Sequence, residues 1–301
     1  SAVYEAYKVI SNAMYGVMGS DFSRYYSKDV AENITLTGQA TLKFLASELE
    51  RRGYKVILGD TDSVAFTMSI LSHSVASTIA TELTSKVQDH LEKLSGVRPT
   101  LLRLEVDKLC SAMFIQKSDV RESGTKKKYA AFVVWQGQPT FYLLTKGFQV
   151  ARHDSSQAQK EFQTQGLMLN LSEATAEQKA AFCETWKQRL YAGELDDKIV
   201  MHKGLGKNPD EYRVVPPYLR VGRKLQEEGK TVLHRGDKIA YLKVGSKPED
   251  VIAVLPGVKL SLTREQRAYI FDNQFRKIAL RLGIDTPKET QPKQRGKQTI
   301  L

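Results

Sequence analysis

Two carboxylates stand two residues apart on a turn that joins two short apolar runs. Val56 to Leu58 lead into Gly59-Asp60-Thr61-Asp62-Ser63, and Val64 to Phe66 follow. β-Formers bounded by turn residues predict a strand, a tight turn and a second strand. A hairpin this short carries Asp60 and Asp62 at its tip. Like charges so close repel, and burial of the tip raises the cost of both. A hard divalent cation such as Mg²⁺ removes that penalty. Asp, Thr and Gly are also ordinary residues of a surface turn. The turn by itself therefore supports a metal site and a solvated turn equally.

Helical periodicity surrounds this hairpin. Val3, Ala6, Ile10, Ala13, Met14 and Val17 share one side of an opening helix that Gly16 and Gly19 weaken or end. Ile34, Leu42, Leu45 and Leu49 form a second stripe, with Arg51 and Arg52 suiting the last turn and Gly53 the stop. A third stripe of Val75, Ile79, Leu83, Val87, Leu91 and Leu94 closes at Gly96 and Pro99. From Leu101 to Leu144 the pattern reads mostly as strand, beginning with LLRLEV. The first half is thus α+β. Beyond about residue 155 the texture turns mainly helical, with Phe182, Trp186 and Leu190 on one stripe, a proline-rich loop, a short helix at LRVGRKLQEEG, a small β element at KIAYLKV and a last helix from about Thr263 to Leu282. Trp135 and Trp186 read as packing residues.

The chain has 301 residues, 45 Lys and Arg against 34 Asp and Glu, and a net charge of +11. A surplus of this size favours a polyanionic partner. Between Lys203 and Lys243 ten basic residues face five acidic ones, a composition that can follow a duplex backbone without reading bases. Two cysteines, Cys110 and Cys183, exclude a disulfide framework and suggest an intracellular setting and buried thiols. The five histidines show no metal-ligand spacing. No apolar run approaches the ~18 residues of a membrane span, so no membrane partner is expected. The opening residues lack a signal-peptide layout.

Lys8, Asn12 and Tyr15 fall at i, i+4 and i+7 of the first helix and share the face opposite its apolar stripe, with Tyr4 and Ser11 at its flanks. A Lys suits a phosphate as a point charge, an amide suits a second phosphate oxygen, and a Tyr ring can pack on a base or sugar. A solvated face is the plain reading of a Lys and an Asn; two tyrosines there are less expected.

YKVISNAMYG followed by LGDTDS resembles the family B DNA polymerases, whose finger helix carries Lys-x-x-x-Asn-x-x-Tyr-Gly and whose palm hairpin carries Tyr-Gly-Asp-Thr-Asp-Ser. The resemblance continues in order through ITLTGQATL, RLEVDKL, KKKYAAF, TKGFQVARHDSS, PPYLRVGRKL, RGDKIAYL and YIFDNQF, over about residues 3 to 283. It implies an α+β fold: a polymerase palm, an antiparallel sheet with packed helices, preceded by one finger helix and followed by a mainly helical thumb. The implied divisions are a second finger helix at 1–18, palm at 19–154, thumb at 155–285 and a flexible basic tail at 286–301.

The resemblance implies roles for single residues. Asp62 is the main metal ligand and Asp60 its catalytic neighbour, serving two Mg²⁺ ions. Lys8 and Asn12 hold the incoming dNTP, and Tyr15 presses on the nascent base pair. Thr61 lies near the primer strand. Glu105 is a further acidic group near the active site, with Asp107 a weaker candidate. Gly16, Lys127, Lys128, Tyr129 and Arg152 contact primer–template DNA, and Arg152 and Asp154 tie palm to thumb. Lys126-Lys127-Lys128 alone would read as a solvated turn. The residues depart from the family pattern at Leu58, where Tyr is usual, at Ala13, where Ser is usual, and at Lys128, where Arg would give bidentate phosphate geometry.

The Asp-Phe-x-Ser-Leu-Tyr-Pro stretch that brings a second metal-bridging Asp has no counterpart here, and neither has the preceding finger helix or an exonuclease domain. The implied function is the C-terminal half of a DNA-directed DNA polymerase, either the small subunit of a split enzyme or one piece of a longer chain. Its implied partners are an N-terminal segment or subunit, primer–template DNA and dNTP, with a sliding clamp suggested faintly by Gln298 to Leu301. Alone it is expected to be inactive. The alternative is a non-catalytic paralogue that only binds primer–template.

Overall fold

A computed structural model of the chain describes residues 2–99, 101–117, 124–151 and 154–286, without the side chains of Ala2, Tyr4, 124–126 and Ala151. Arg152 and the expected basic tail beyond 286 lie outside the described residues. The chain folds as two compact units, Ser1–Leu109 with Trp135–Pro139, and Cys110–Val134 with Thr140–Leu301.

The first unit holds α1 (Ala2–Met18), α2 (Lys28–Arg51), the β1–β2 hairpin (Val56–Asp60 and Ser63–Phe66) and α3 (His73–Ser95). Gly53 at φ 84° and Gly96 at φ 73° stop α2 and α3, as their sequence positions predict. Leu45 and Leu49 of α2 meet Ile79 and Leu83 of α3 in a small core, and Tyr54, Val56, Val64 and Phe66 lay the hairpin on it. Each such side chain contributes about 1.5–3 kcal/mol when fully buried. Glu48 pins the helices, accepting from Arg51 at 3.0 and 2.9 Å and from Lys86 at 2.9 Å. Trp135, near the end of β4 (Gly124–Gln136), stacks on His73 with ring centroids 3.9 Å apart.

Two expectations fail in this unit. Leu101 to Val106 keeps the alternating exposure of a strand but pairs with no strand among the described residues. Side chains of α3 satisfy its backbone instead: the Leu104 N–H donates to Thr84 Oγ1 at 3.0 Å, and the Leu102 carbonyl accepts from Gln88 Nε2 at 2.8 Å. The apolar stripe of α1 is also not buried. Val3 is 64% exposed, Ile10 58% and Met14 54%. Exposure continues through Phe22 and Tyr25 into Val30, Ile34 and Leu36 on the first half of α2.

The second unit begins with a three-stranded sheet in the order β3 (Leu109–Lys117), β4, β5 (Gln138–Lys146). Helices α4 (Gln157–Leu171) and α5 (Ala176–Tyr191) open with capping boxes at Ser156/Gln159 and Thr175/Gln178. A second sheet follows, in which β6 (Met201–Gly204) and β8 (Val251–Ala253) flank β7 (Lys238–Lys243), with Met201 opposite Tyr241 and Tyr241 opposite Ala253. Helix α6 (Pro217–Glu227) packs on this sheet through Leu219 and Val221, which join Leu205 and Ile239 in a core of their own. The last predicted helix exists, but a π-helical turn at Phe271–Arg276 divides it into α7 (Arg264–Ile270) and α8 (Lys277–Arg281). Gln274 sits buried in that turn and accepts from the Ser156 hydroxyl at 3.2 Å, tying it to the start of α4.

The main core of this unit is aromatic. Phe162 is fully buried, and its ring centroid lies 4.8 Å from Phe182, 5.4 Å from Trp186 and 5.3 Å from Phe275. Arg267 clamps α7 to the loop after α5, donating to both Asp196 oxygens at 2.6 and 2.9 Å and to the Leu190 carbonyl at 2.6 Å. Cys183 is buried as expected, and burial pushes its thiol up to about 11. Cys110 is only half-buried.

Phe162→Ala should lower the stability of the second unit by about 3–5 kcal/mol. Urea unfolding followed by Trp186 fluorescence, in a Trp135→Phe background, measures it. In the first unit, the hydrogen bonds from Arg51 and Lys86 hold the Glu48 carboxyl at about 2, below its ordinary 4.5. This stabilisation is therefore complete above that ordinary value and is lost as pH falls through the lowered one. The urea midpoint of Glu48→Gln should trail the parent's at about pH 6 and converge on it near about pH 2.

Candidate active site

The hairpin is built as predicted, with Gly59 opposite Val64 and Asp60 opposite Ser63, which leaves Thr61 and Asp62 as the turn. So short a turn needs a left-handed residue. Thr61 takes that conformation at φ 57°, a strained position for a β-branched side chain. The tip is bonded tightly around Asp60. Its carbonyl accepts from the Asp62 N–H at 2.6 Å and from the Ser63 hydroxyl at 3.1 Å. The Thr61 hydroxyl donates to Asp60 Oδ1 at 3.1 Å.

The sequence predicts a buried tip, and the structure corrects this. Asp60 is half-buried, while Thr61 and Asp62 are exposed. Among the described residues no hydrogen bond or ion pair engages the Asp62 carboxylate, and no three His, Cys, Asp or Glu side chains converge to hold a metal ion. Two hard carboxylates are the right donor type for Mg²⁺ but too few for its octahedral shell. The donors present fit part of such a site.

Lys8, Asn12 and Tyr15 lie on α1 in the same unit as the hairpin, all exposed. A Cβ at Gly16 would meet no atom within 4 Å, so the helix surface beside Tyr15 is open. α1 packs on α2, and α2 in turn packs on both strands of the hairpin, so α2 is the element that links the two groups of candidate residues. Glu105 lies exposed on the extended segment after α3, and Asp107 pairs with the neighbouring Lys108.

The basic candidates belong to the second unit. Lys127, exposed, and Lys128 and Tyr129, half-buried, lie on β4. Lys127 also has a left-handed backbone, at φ 58°. Gly147 explains how that is tolerated. At φ 71°, its missing Cβ would stand 2.1 Å from the Lys127 carbonyl oxygen and 3.0 Å from Lys128 Cγ. Only glycine lets the two backbones approach so closely. The sequence reading assigns no role to Gly147, although it is the glycine of the TKGFQVARHDSS stretch. Asp154 forms an ion pair with Lys203 of β6 at 3.3 Å, and this negative charge together with burial pushes the Tyr241 phenol up, burial being the larger cause.

In backbone course the chain resembles part of a solved polymerase. The structure of the family B DNA polymerase from the hyperthermophilic archaeon Pyrobaculum calidifontis matches 94% of this chain and 33% of that one, with a TM-score of 0.65 and 24% identity. Residues 4–281 match the sequence model of DNA polymerase family B, and the chain belongs to that family. It is similar to DNA polymerase II of Escherichia coli, 30% identical over 246 residues, which cover 80% of this chain and 30% of that protein. It is also similar to a DNA polymerase of Archaeoglobus fulgidus, 26% identical over 292 residues, 91% of this chain and 34% of the other. The chain thus spans about a third of the length of these relatives.

Relief of the strain at Thr61 has a measurable consequence. Thr61→Gly should slow hydrogen exchange at the Asp60 and Ser63 amides, in line with a stabilisation of about 1 kcal/mol.

Proposed function

We propose that the chain is the part of a DNA-directed DNA polymerase that carries one palm hairpin, one finger helix and the thumb, and that it extends a primer when joined to a polypeptide supplying a further carboxylate. The observation that carries this reading is the hairpin tip: Asp60 at the end of β1 and Asp62 in the strained two-residue turn, in the same unit as an exposed Lys8-Asn12-Tyr15 face. The exposed apolar surface of α1 and of the first half of α2 supports the need for a second polypeptide segment. The chain's coverage of only a third of its relatives' length agrees with it.

In this reading the primer 3′-hydroxyl attacks the α-phosphorus of a dNTP. The new P–O bond forms as the bond to the bridging oxygen breaks, pyrophosphate departs, and the hydroxyl proton passes to solvent. Asp62 and Asp60 would hold Mg²⁺, which when bound lowers the charge on the attacking and leaving oxygens. Lys8 would neutralise charge on the departing phosphates. Asn12 would fix their orientation by a hydrogen bond. The Tyr15 ring would pack on the nascent base pair, and the open surface at Gly16 would admit the template. Thr61, next to the carboxylates, would border the primer terminus, with Glu105 adding negative charge nearby. Lys127, Lys128 and Tyr129 would contact the primer–template backbone.

Reconstitution tests the proposal against the non-catalytic alternative. The chain alone should incorporate no dNTP on a primed template. Mixed with a polypeptide bearing the upstream Asp motif, it should extend the primer. Asp62→Ala should cut that activity at least about 10³-fold, some 4 kcal/mol of barrier. Lys8→Ala should lower kcat/KM for dNTP about 10²-fold. Incorporation that survives Asp62→Ala would sink the catalytic reading.

A further inference from the structure

Among the described residues three that are not glycine have a left-handed backbone: Thr61 at φ 57°, Lys127 at φ 58° and Glu173 at φ 55°. The local chain accounts for two of them. Thr61 lies in a two-residue hairpin turn, and Glu173 follows the end of α4, where a left-handed residue is a common stop. Lys127 lies inside β4, where the strand neither turns nor ends. Strain of this kind persists only where the surroundings impose it.

The surroundings here include Gly147, the residue after β5. Gly147 lies so close that a Cβ on it would stand 2.1 Å from the Lys127 carbonyl oxygen and 3.1 Å from the carbonyl carbon. Gly137, in the turn between β4 and β5, gives the contrast. It is left-handed too, at φ 69°, but a Cβ there would meet no atom within 4 Å. Turn geometry alone selects glycine at 137. At 147 the bare backbone is also what lets β4 approach.

The close approach bears on a side chain as well. The same Cβ would stand 3.0 Å from Lys128 Cγ, so the Lys128 stem crosses the bare face of Gly147. A left-handed residue inside a strand bends it and re-aims its side chains. Lys128 is the first residue after that bend. It is half-buried, and the fully buried Ala130 and Ala131 anchor the strand just beyond it. A lysine whose stem is packed has lost rotamer freedom, so its ammonium is aimed rather than free to sweep.

We propose that Gly147 is a positioning residue: its bare backbone keeps Lys127 left-handed and steers the Lys128 stem, so that the Lys128 ammonium meets a phosphate of the primer–template backbone. The proposal rests on the polymerase reading, in which Lys128 contacts that backbone, and adds the residue that sets the contact. Gly147 acts through its neighbours and touches no nucleic acid itself. Lysine supplies a point charge without the planar fork of arginine, so the direction of its stem decides whether it finds its phosphate.

The test is fluorescence anisotropy of the 301-residue chain with a labelled primed duplex across a salt series. Lys128→Ala should weaken binding about tenfold and reduce the salt slope by about 1, the loss of one phosphate contact. Gly147→Ala, which removes no charge, should do the same, and in the Lys128→Ala background it should change neither quantity further. A variant that is merely less folded lowers affinity and leaves the slope alone. Two substitutions that keep Gly147 make the result independent of how Gly147→Ala folds. Lys127→Asn and Lys127→Val lose the same charge, but asparagine accepts a left-handed backbone and β-branched valine resists it. The slope of Lys127→Val should therefore be the lower by about 1. If Lys128→Ala lowers the slope while Gly147→Ala keeps the parent's, or if Lys127→Asn and Lys127→Val bind alike, the positioning role is overturned and the polymerase reading stands. If Lys128→Ala binds like the parent, the phosphate contact fails, and the proposal falls together with that part of the polymerase reading.

Discussion

A two-residue turn with Thr61 held in a left-handed backbone is the constraint that shapes the acidic hairpin of the first unit. The turn is closed by the β1–β2 pairing, in which Gly59 faces Val64 and Asp60 faces Ser63 after a register shift between Val56 and Leu58, and Thr61 takes a left-handed backbone. That strain, of order 1–3 kcal/mol, persists only where the surroundings over-determine it. The surroundings here are the α2–α3 core of Leu45, Leu49, Ile79 and Leu83, with the hairpin's Val56, Val64 and Phe66 packed on it. Glu48, held between Arg51 and Lys86, fixes the two helices that bear the hairpin. A packed base thus presents a strained, acidic tip.

The second unit follows a different logic. Its aromatic core is built around Phe162, Trp186 and Phe275, and its π-helical turn is tied by Gln274 to Ser156. Its polar devices lie at the surface: the Lys127–Gly147 apposition on the first sheet and a basic cavity after β6, lined by Lys203, Lys207 and Arg213. Glycine stands at both, on different terms. Gly147 is required by the protein's own backbone, because any Cβ would strike the Lys127 carbonyl. At Gly206 a Cβ would meet no atom within 4 Å, so the packing does not require glycine there.

The exposed apolar surface of α1 and α2 belongs with the acidic tip. A chain that leaves Ile10, Met14, Phe22 and Ile34 in solvent has not buried the surface its own periodicity marks for burial. Leu101 to Val106 tells the same story in backbone terms, since it has the alternation of a strand without a ladder partner and borrows hydrogen bonds from Thr84 and Gln88.

Much was legible in the residues alone. The helical stripes, the glycine stops at Gly53 and Gly96, the hairpin and the ordered motifs of family B are local patterns, and local patterns are written in residue type and spacing. Three things were not. Burial of the hairpin tip and of the α1 stripe depends on what packs above them, and periodicity marks a face without naming its cover. The hydrogen bond that holds Gln274 of the π-helical turn to Ser156 spans 118 positions. The closeness of Lys127 to Gly147 and the cavity between Lys207 and Arg213 come from backbone paths that converge only once the sheets form. The sequence by itself therefore determined which groups could do chemistry, because side-chain type and short-range spacing are enough for that. The tertiary structure alone decided which of them face solvent, which are strained and which surround an open space, because those properties belong to distances between segments remote in the chain.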